Sequence, residues 1–109
     1  MTKRVFILYA DGTATFTDSL KNPTYETLSK AVGGMIETIP YFTKLEYDGI
    51  TYNRGTAYCN EEGLLLGLPF NANATEAWKK SCPKGNVSLM HLCGDVIFYA
   101  TNPQTEKTT

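Results

Sequence analysis

Residues 5–17 read VFILYADGTATFT, and this stretch decides the fold. Residues 5–10 are apolar on both faces, which is typical of a strand in the middle of a sheet that is covered on both sides. Asp11-Gly12 follows as a hairpin turn, because glycine tolerates the positive φ that a tight turn needs. Residues 13–17 alternate threonine with apolar side chains and are predicted to form the return strand.

A first helix is predicted to open at Asn22-Pro23, since asparagine caps free backbone N–H groups and proline suits the first helical turn. Gly33-Gly34 ends it. Its buried stripe is predicted to be Tyr25, Leu28 and Val32.

A second helix is predicted over residues 74–81, with Asn73 as its cap and Glu76 three residues further on, as in a capping box. Trp78 and Ala74 or Ala77 would face the core. The Lys79-Lys80 pair suits the negative end of the helix dipole.

Further short strands complete an α+β prediction: a single domain over residues 1–101, with a polar tail over residues 102–109. Residues 5–9 and 96–99 are expected to be central strands. Residues 35–39 are expected to form a strand that lies at an edge or is broken at Pro40, because proline cannot donate to a ladder. The hairpin over residues 45–52 is expected to project and be half exposed. The sheet would be mixed, mainly antiparallel, with about five or six strands and two helices on one face.

Composition and charge exclude several classes of protein. The chain has 109 residues, 42% hydrophobic and 19% charged, which indicates one globular domain. No apolar run is long enough for a membrane helix. A formal net charge of −1 gives no surplus of cations for non-specific nucleic-acid binding. Three cysteines without C-x-x-C spacing favour reduced thiols, and no secretion signal is recognisable.

Three ordered motifs carry a family resemblance. They are V-G-G-x-I-E at residues 32–37, N-E-x-G-x-x-x-G-L-P-x-N at residues 60–71, and G-D at residues 94–95 before an apolar strand. The pattern resembles a family of small uncharacterised domains of phages, bacteria and large algal viruses. The stretch over residues 82–93 matches no motif of that family. The resemblance implies a viral or phage accessory context and transfers no catalytic residue.

The loop over residues 67–73 is the candidate ligand site. A loop that feeds a helix N-terminus presents free N–H groups to an anion or a carbonyl. Its candidate residues are Gly67, Asn71 and Asn73. The same residues also serve as ordinary turn and cap positions, since no phosphate-cradling lysine follows at the spacing of a P-loop.

Reactive chemistry has little support in the sequence. His91 and Cys93 are two apart and would share one face of a strand, which a thiol enzyme could use. Cys59, Cys82, His91 and Cys93 have the number of ligands that a closed zinc site needs, but they lack paired-knuckle spacing. Glu61-Glu62 lies in a turn, where neighbouring carboxylates do not converge. Neither a metal nor a cofactor is predicted.

Aromatic side chains crowd the centre of the chain. Tyrosine and arginine are favoured at protein interfaces, and bases can stack on tyrosine. The candidate interface residues are Tyr41, Tyr47, Tyr52, Arg54 and Tyr58. Cross-strand pairing within hairpins is the competing interpretation.

The preferred functional hypothesis is a non-catalytic, virus- or phage-type accessory protein that acts by protein binding or self-association. A minor structural component of a virion is an alternative. Two other classes stay open: a binder of a small nucleotide-like ligand, such as a host-defence antagonist, and a small thiol enzyme. The expected location is the cytoplasm of a host cell or the virion.

Overall fold

Seven strands and two helices follow one another in a computed structural model that describes residues 2–82 and 91–103. They are β1 (Lys3–Leu8), β2 (Ala14–Ser19), α1 (Tyr25–Val32), β3 (Ile36–Thr38), β4 (Leu45–Tyr47), β5 (Ile50–Tyr52), β6 (Thr56–Asn60), α2 (Ala72–Ser81) and β7 (Val96–Thr101). The predicted α+β class is confirmed.

The main sheet has five strands in the order β2-β1-β7-β6-β3. Every strand pairing in it is antiparallel. Strands β1 and β7 lie in the interior of the sheet, as their apolar sequences predict, and β3 lies at an edge. Strands β4 and β5 form a separate two-stranded sheet.

The two helices lie on opposite faces of the main sheet, so the prediction of one shared face is wrong. Leu28 and Val32 of α1 pack with Ile97 of β7. Ala74 of α2 packs into the larger cluster around Phe6. The physical reason lies in the central strands: successive side chains point to opposite faces, and both faces of β1 and β7 carry apolar residues that need cover.

Helix α1 begins two residues later than predicted. Thr24 is its cap, with a side-chain oxygen that accepts from the N–H of Thr27 at 3.2 Å. Tyr25, the first residue of the helix, is 60% exposed, whereas Leu28 and Val32 pack against the sheet. Gly33 ends the helix in the left-handed conformation, as predicted.

Helix α2 begins two residues earlier than predicted. Asn71 rather than Asn73 is its cap, and the Asn71 side chain accepts from the N–H of Ala74 at 3.0 Å. Ala74 is buried, as predicted. Trp78 lies at the edge of the core and its indole N–H donates to the Pro40 carbonyl at 2.7 Å.

The β4–β5 hairpin packs against the sheet instead of projecting from it. Asp48 and Gly49 both have positive φ, 52° and 78°, as the turn predicted from this dipeptide requires. Leu45 and Tyr52 are buried in the same cluster as Phe6. The alternate positions Glu46 and Thr51 face outward, so the hairpin is half exposed.

Asn102 continues the β1–β7 ladder, since its N–H donates to the Thr2 carbonyl at 2.9 Å and the residue is buried. The predicted polar tail therefore begins after this position. Residues 104–109 of that tail lie outside the described residues.

Candidate functional site

Asn71 of the predicted ligand loop is a core residue with no exposed surface. Its side-chain oxygen caps α2, and its Nδ2 donates to the carbonyls of Leu8 at 2.8 Å and Gly94 at 2.9 Å. The amide thus joins α2 to β1 and to the segment before β7. It leaves no group for a ligand, so the prediction that Asn71 binds one is corrected here.

Gly67 and Asn73 do not share the buried position of Asn71. Gly67 is exposed and has a φ of 68°. Asn73 is exposed, and its Nδ2 donates to the Gly12 carbonyl at 2.8 Å. The loop therefore does not bring its three candidate residues together around one site.

Asn73 does line a cavity of about 570 Å³ between α2, the β1–β2 turn and the β4–β5 hairpin. Charged side chains of both signs line this cavity: Lys44, Glu46, Glu76 and Lys80. Tyr47 supplies an aromatic wall. A small polar ligand in this cavity would meet these charged side chains, whereas Gly67 of the predicted ligand loop does not line it.

The candidate tyrosine and arginine residues are divided between the core and different surfaces. Tyr52 is 1% exposed, and its hydroxyl accepts from Arg4 at 3.0 Å. It is a core residue, which corrects its assignment to an interface. Tyr47 packs on Phe6 and Phe16, with ring centroids 5.1 and 5.9 Å away.

Tyr58 faces the other side of the sheet. Its ring is stacked on Tyr99 with the centroids 6.4 Å apart. Tyr41 and Arg54 are exposed, and both have positive φ. A hydrogen bond of 2.8 Å from the Gly55 N–H to the Thr43 carbonyl places their two loops side by side.

Two cysteines and the single histidine line one shallow cavity of about 340 Å³. Cys59, His91 and Cys93 share it with Glu37 and Glu61. Among residues 2–82 and 91–103, no three His, Cys, Asp or Glu side chains are placed to hold a metal ion. Burial raises the pKa of the Cys59 thiol to about 11, so this thiol is protonated at neutral pH and is a poor nucleophile.

Within the described ranges, the most exposed apolar feature is a loop to which the sequence analysis assigned no role. We call residues 61–67 the leucine loop. Leu64, Leu65 and Leu66 are 78%, 86% and 60% exposed, although leucine is usually buried. Three consecutive exposed leucines are unusual in a globular domain unless they serve an interaction.

The leucine loop is held by its own backbone. The N–H of Leu66 donates to the Glu62 carbonyl at 2.9 Å, and the N–H of Leu68 donates to the Gly63 carbonyl at 3.0 Å. Gly63 is buried, and a Cβ there would lie 3.2 Å from the Cys93 carbonyl. The leucines are therefore presented by an ordered turn with a buried base.

Asn60 fixes the start of the loop. Its Nδ2 donates to the Val32 carbonyl at 3.1 Å, and its Oδ1 accepts from the Glu62 N–H at 2.8 Å. The side chain is 6% exposed. The asparagine at the head of the second sequence motif thus ties the leucine loop to the end of α1.

Apolar side chains continue beyond the loop. Leu64 and Leu65 line the same cavity as His91, and the Phe70 ring lies 5.4 Å from the His91 ring. Phe70 is 49% exposed. The N–H of Glu61 donates to the carbonyl of Met35, whose side chain is also exposed.

One signal in the sequence points to this surface. Leu64-Leu65-Leu66 stands between two glycines and follows the turn-forming Asn60-Glu61-Glu62. Such a short apolar run inside a turn has no strand or helix to carry it into the core. Exposure of the leucines follows from that context.

These observations define a small α+β domain with an exposed apolar loop. In the part of the chain that the structure describes, neither helix has an apolar stretch that reaches across a bilayer. The chain belongs to the DUF3846 family, a domain of unknown function, whose family model matches residues 2–109. No curated protein and no solved structure matches the chain.

Proposed function

We propose that this protein is a non-catalytic binding module and that the leucine loop is the surface through which it holds a protein partner. The observation that carries the proposal is the exposure of Leu64, Leu65 and Leu66 on an ordered turn. Removing one leucine side chain from water contributes about 1.5–3 kcal/mol before the costs of association are counted. Three adjacent leucines would form the apolar centre of a larger interface.

The chemistry of the loop specifies the partner's surface. Glu61 and Glu62 are exposed at the start of the leucine loop. Interfaces pair an apolar centre with a polar rim of complementary charge. The partner would present an apolar groove bordered by lysine or arginine. Tyr41 and Arg54 are the members of the predicted tyrosine–arginine surface that stay available for a second contact.

The setting that we propose is a phage or virus, with the protein acting as an accessory factor in the host cytoplasm or as a minor component of the particle. The support for this setting is the resemblance of the three sequence motifs to small domains of phages, bacteria and large algal viruses. The absence of a strong charge is consistent with a protein that recognises other proteins and not nucleic acid.

A comparison of baits tests the proposal. Wild-type protein, Leu65→Asp and the control Tyr25→Ser would be immobilised and exposed to lysate of the cells that express the protein. Tyr25 is an exposed apolar residue on α1, away from the leucine loop. Any captured partner is then purified and its affinity measured by calorimetry.

We expect a stoichiometric partner that wild-type and Tyr25→Ser proteins bind equally, with a negative heat-capacity change, and that Leu65→Asp binds at least about tenfold more weakly. Equal affinity for Leu65→Asp, or capture of no stoichiometric partner, would contradict the proposal. Thermal unfolding of each variant checks that the fold is intact.

A second candidate function is the binding of a small nucleotide-like ligand. It is favoured by the cavity of about 570 Å³, where Tyr47 could stack on a base and Lys44 and Lys80 could meet a phosphate. Nucleotides would raise the melting temperature as RT ln(1 + [L]/Kd) if they bind there. The double variant Lys44→Ala/Lys80→Ala should abolish that rise, and a rise that persists would place the ligand elsewhere.

A further inference from the structure

The two edges of the main sheet differ in how well they are protected from a further strand. At one edge, β3 is only Ile36–Thr38, and Pro40 follows it. At the other edge, β2 spans six residues, Ala14–Ser19, with neither proline nor lysine. Natural sheets commonly block an open edge with short strands, prolines or lysines. Only β3 has such protection.

The register of the β1–β2 hairpin determines which backbone groups of β2 point away from the sheet. The N–H of Tyr9 donates to the Thr13 carbonyl, so this pair is hydrogen-bonded. Bonded and non-bonded pairs alternate along an antiparallel ladder. Thr15 and Thr17 therefore bond to β1, whereas the backbone groups of Ala14, Phe16 and Asp18 point away from the sheet.

The hydrogen bonds between β1 and β7 lead independently to the same assignment of outward groups on β2. The N–H of Asn102 donates to the Thr2 carbonyl, so the even-numbered residues of β1 bond to β7. Its odd-numbered residues, Val5 and Ile7, are then left to bond Thr17 and Thr15. Phe16 thus lies at the middle of a row of outward groups that pair with no other strand among residues 2–82 and 91–103.

The edge carries no unbalanced charge. Asp18 is the only ionisable side chain of β2, and Arg4 donates to its two carboxylate oxygens at 2.7 and 2.9 Å. The same guanidinium lies 4.2 Å from the centre of the Phe16 ring. A second strand with the same sequence would therefore meet a neutral edge.

We propose that two copies of this chain associate through β2, antiparallel, with Phe16 of one copy opposite Phe16 of the other. In this register Ala14 lies opposite Asp18 of the second copy. The outward N–H and carbonyl groups of Ala14, Phe16 and Asp18 then all form hydrogen bonds to the second copy. Thr15 lies opposite Thr17 of the second copy, in the non-bonded pairs whose side chains are closest. The two five-stranded sheets then become continuous.

This dimer is separate from the proposed leucine-loop contact. The leucine loop follows β6, next to β3, whereas β2 lies at the opposite edge of the sheet. Association through β2 leaves the leucine loop open, so each dimer would present two copies of it. Failure of one proposal does not entail failure of the other.

Charge pairing between variants tests the dimer and its register. Thr15 and Thr17 are exposed, so Thr15→Lys/Thr17→Lys and Thr15→Glu/Thr17→Glu should both fold. Each variant places like charges opposite each other and should weaken self-association by about tenfold. An equimolar mixture places lysine opposite glutamate and should recover the dimer. Leu65→Asp serves as a control that dimerises like the wild type.

Sedimentation equilibrium reports the masses. A dimeric wild type, two variants that dimerise about tenfold more weakly, and a mixture that dimerises like the wild type support the proposal. A wild type that stays monomeric at millimolar concentration, or variants that dimerise as well as the wild type, overturns it.

Hydrogen exchange of the wild type tests the same register without any substitution. The amides of Ala14, Phe16 and Asp18 should gain protection as the protein concentration rises. Exchange of these amides at a rate independent of concentration would overturn the proposal even if another dimer forms.

Discussion

The Nδ2 group of Asn71 lies 2.8 Å from the carbonyl oxygen of Leu8, so a side chain at the start of α2 is bonded to the last residue of β1. The same side chain caps α2 and bonds the Gly94 carbonyl. One buried asparagine therefore joins three segments that are distant in sequence.

Replacing Asn71 by alanine should destabilise the protein by about 3 kcal/mol, since it removes the cap and leaves two buried carbonyls without a donor. The melting temperature should fall by about 15 °C. Asn73→Ala is the matched control, because that exposed side chain makes one hydrogen bond, and it should cost less than about 1 kcal/mol. Equal losses in urea unfolding would show that Asn71 is not the anchor.

Gly55 is predicted to be intolerant of alanine. A Cβ at this position would collide with the Phe98 ring, which is fully buried, and would lie 2.9 Å from the Tyr99 carbonyl oxygen. Gly55→Ala should cost about 3 kcal/mol through overpacking. Gly33→Ala, where the space is open but φ is 80°, should cost about 1 kcal/mol. Calorimetric unfolding distinguishes the two, and a benign Gly55→Ala would contradict the packing described.

The Arg4–Asp18 pair predicts a pH-dependent contribution to stability. Hydrogen bonding to Arg4 lowers the pKa of Asp18 below its usual range. A carboxyl group whose pKa is lowered by folding stabilises the protein at neutral pH and loses that effect as the pH falls through the lowered pKa. Because Asp18 is partly exposed, the effect should stay below about 1 kcal/mol.

Asp18→Asn should therefore be slightly less stable than the wild type at neutral pH, and the difference should shrink between about pH 5 and pH 2. Urea midpoints across this range provide the measurement. Asp11, whose pKa is also lowered, is present in both proteins and cancels in the comparison. A difference that stays constant with pH would mean that the ion pair contributes nothing.

The Cys59 thiol should resist alkylation. Burial is the main cause that raises its pKa to about 11 from an ordinary value of 9.0, so at pH 8 the reactive thiolate is about a hundredfold scarcer than in an unfolded chain. Peptide mapping after iodoacetamide treatment, with and without denaturing urea, measures the rate. Equal rates in the folded and unfolded protein would refute the buried environment of Cys59.

Local signals in the sequence were sufficient for the turns and the central strands. Asp48-Gly49 adopts the positive φ values of the predicted hairpin turn, and Gly33 ends α1 as expected. Strands β1 and β7 lie in the interior because both of their faces are apolar. These features depend on neighbouring residues alone, which is why pattern reasoning finds them.

The helix caps depended on distant contacts that a local pattern does not contain. Asn71 and Asn73 are equally good cap residues by type. The choice between them is made by the carbonyls of Leu8 and Gly94, which only the folded sheet places beside Asn71. For the same reason Tyr25 fits a helical stripe but lies outside the core.

The candidate surfaces were the least predictable part. Tyr52 points into the core. Its strand pairs with β4, and its ring packs on the Phe6 ring with the centroids 4.9 Å apart. The leucine loop is apolar, and composition alone assigns such residues to the interior. The local signal against burial is the setting of the run between Gly63 and Gly67, and the structure places that run in the turn between β6 and α2.

The most direct test of the leucine-loop proposal is site-specific photo-crosslinking. A photoreactive amino acid would replace Leu65 in one protein and the exposed Tyr25 in a second, both expressed in the native host cell. We predict one defined protein adduct from position 65 and none from position 25. No adduct from position 65, or the same set of adducts from both positions, would contradict the account.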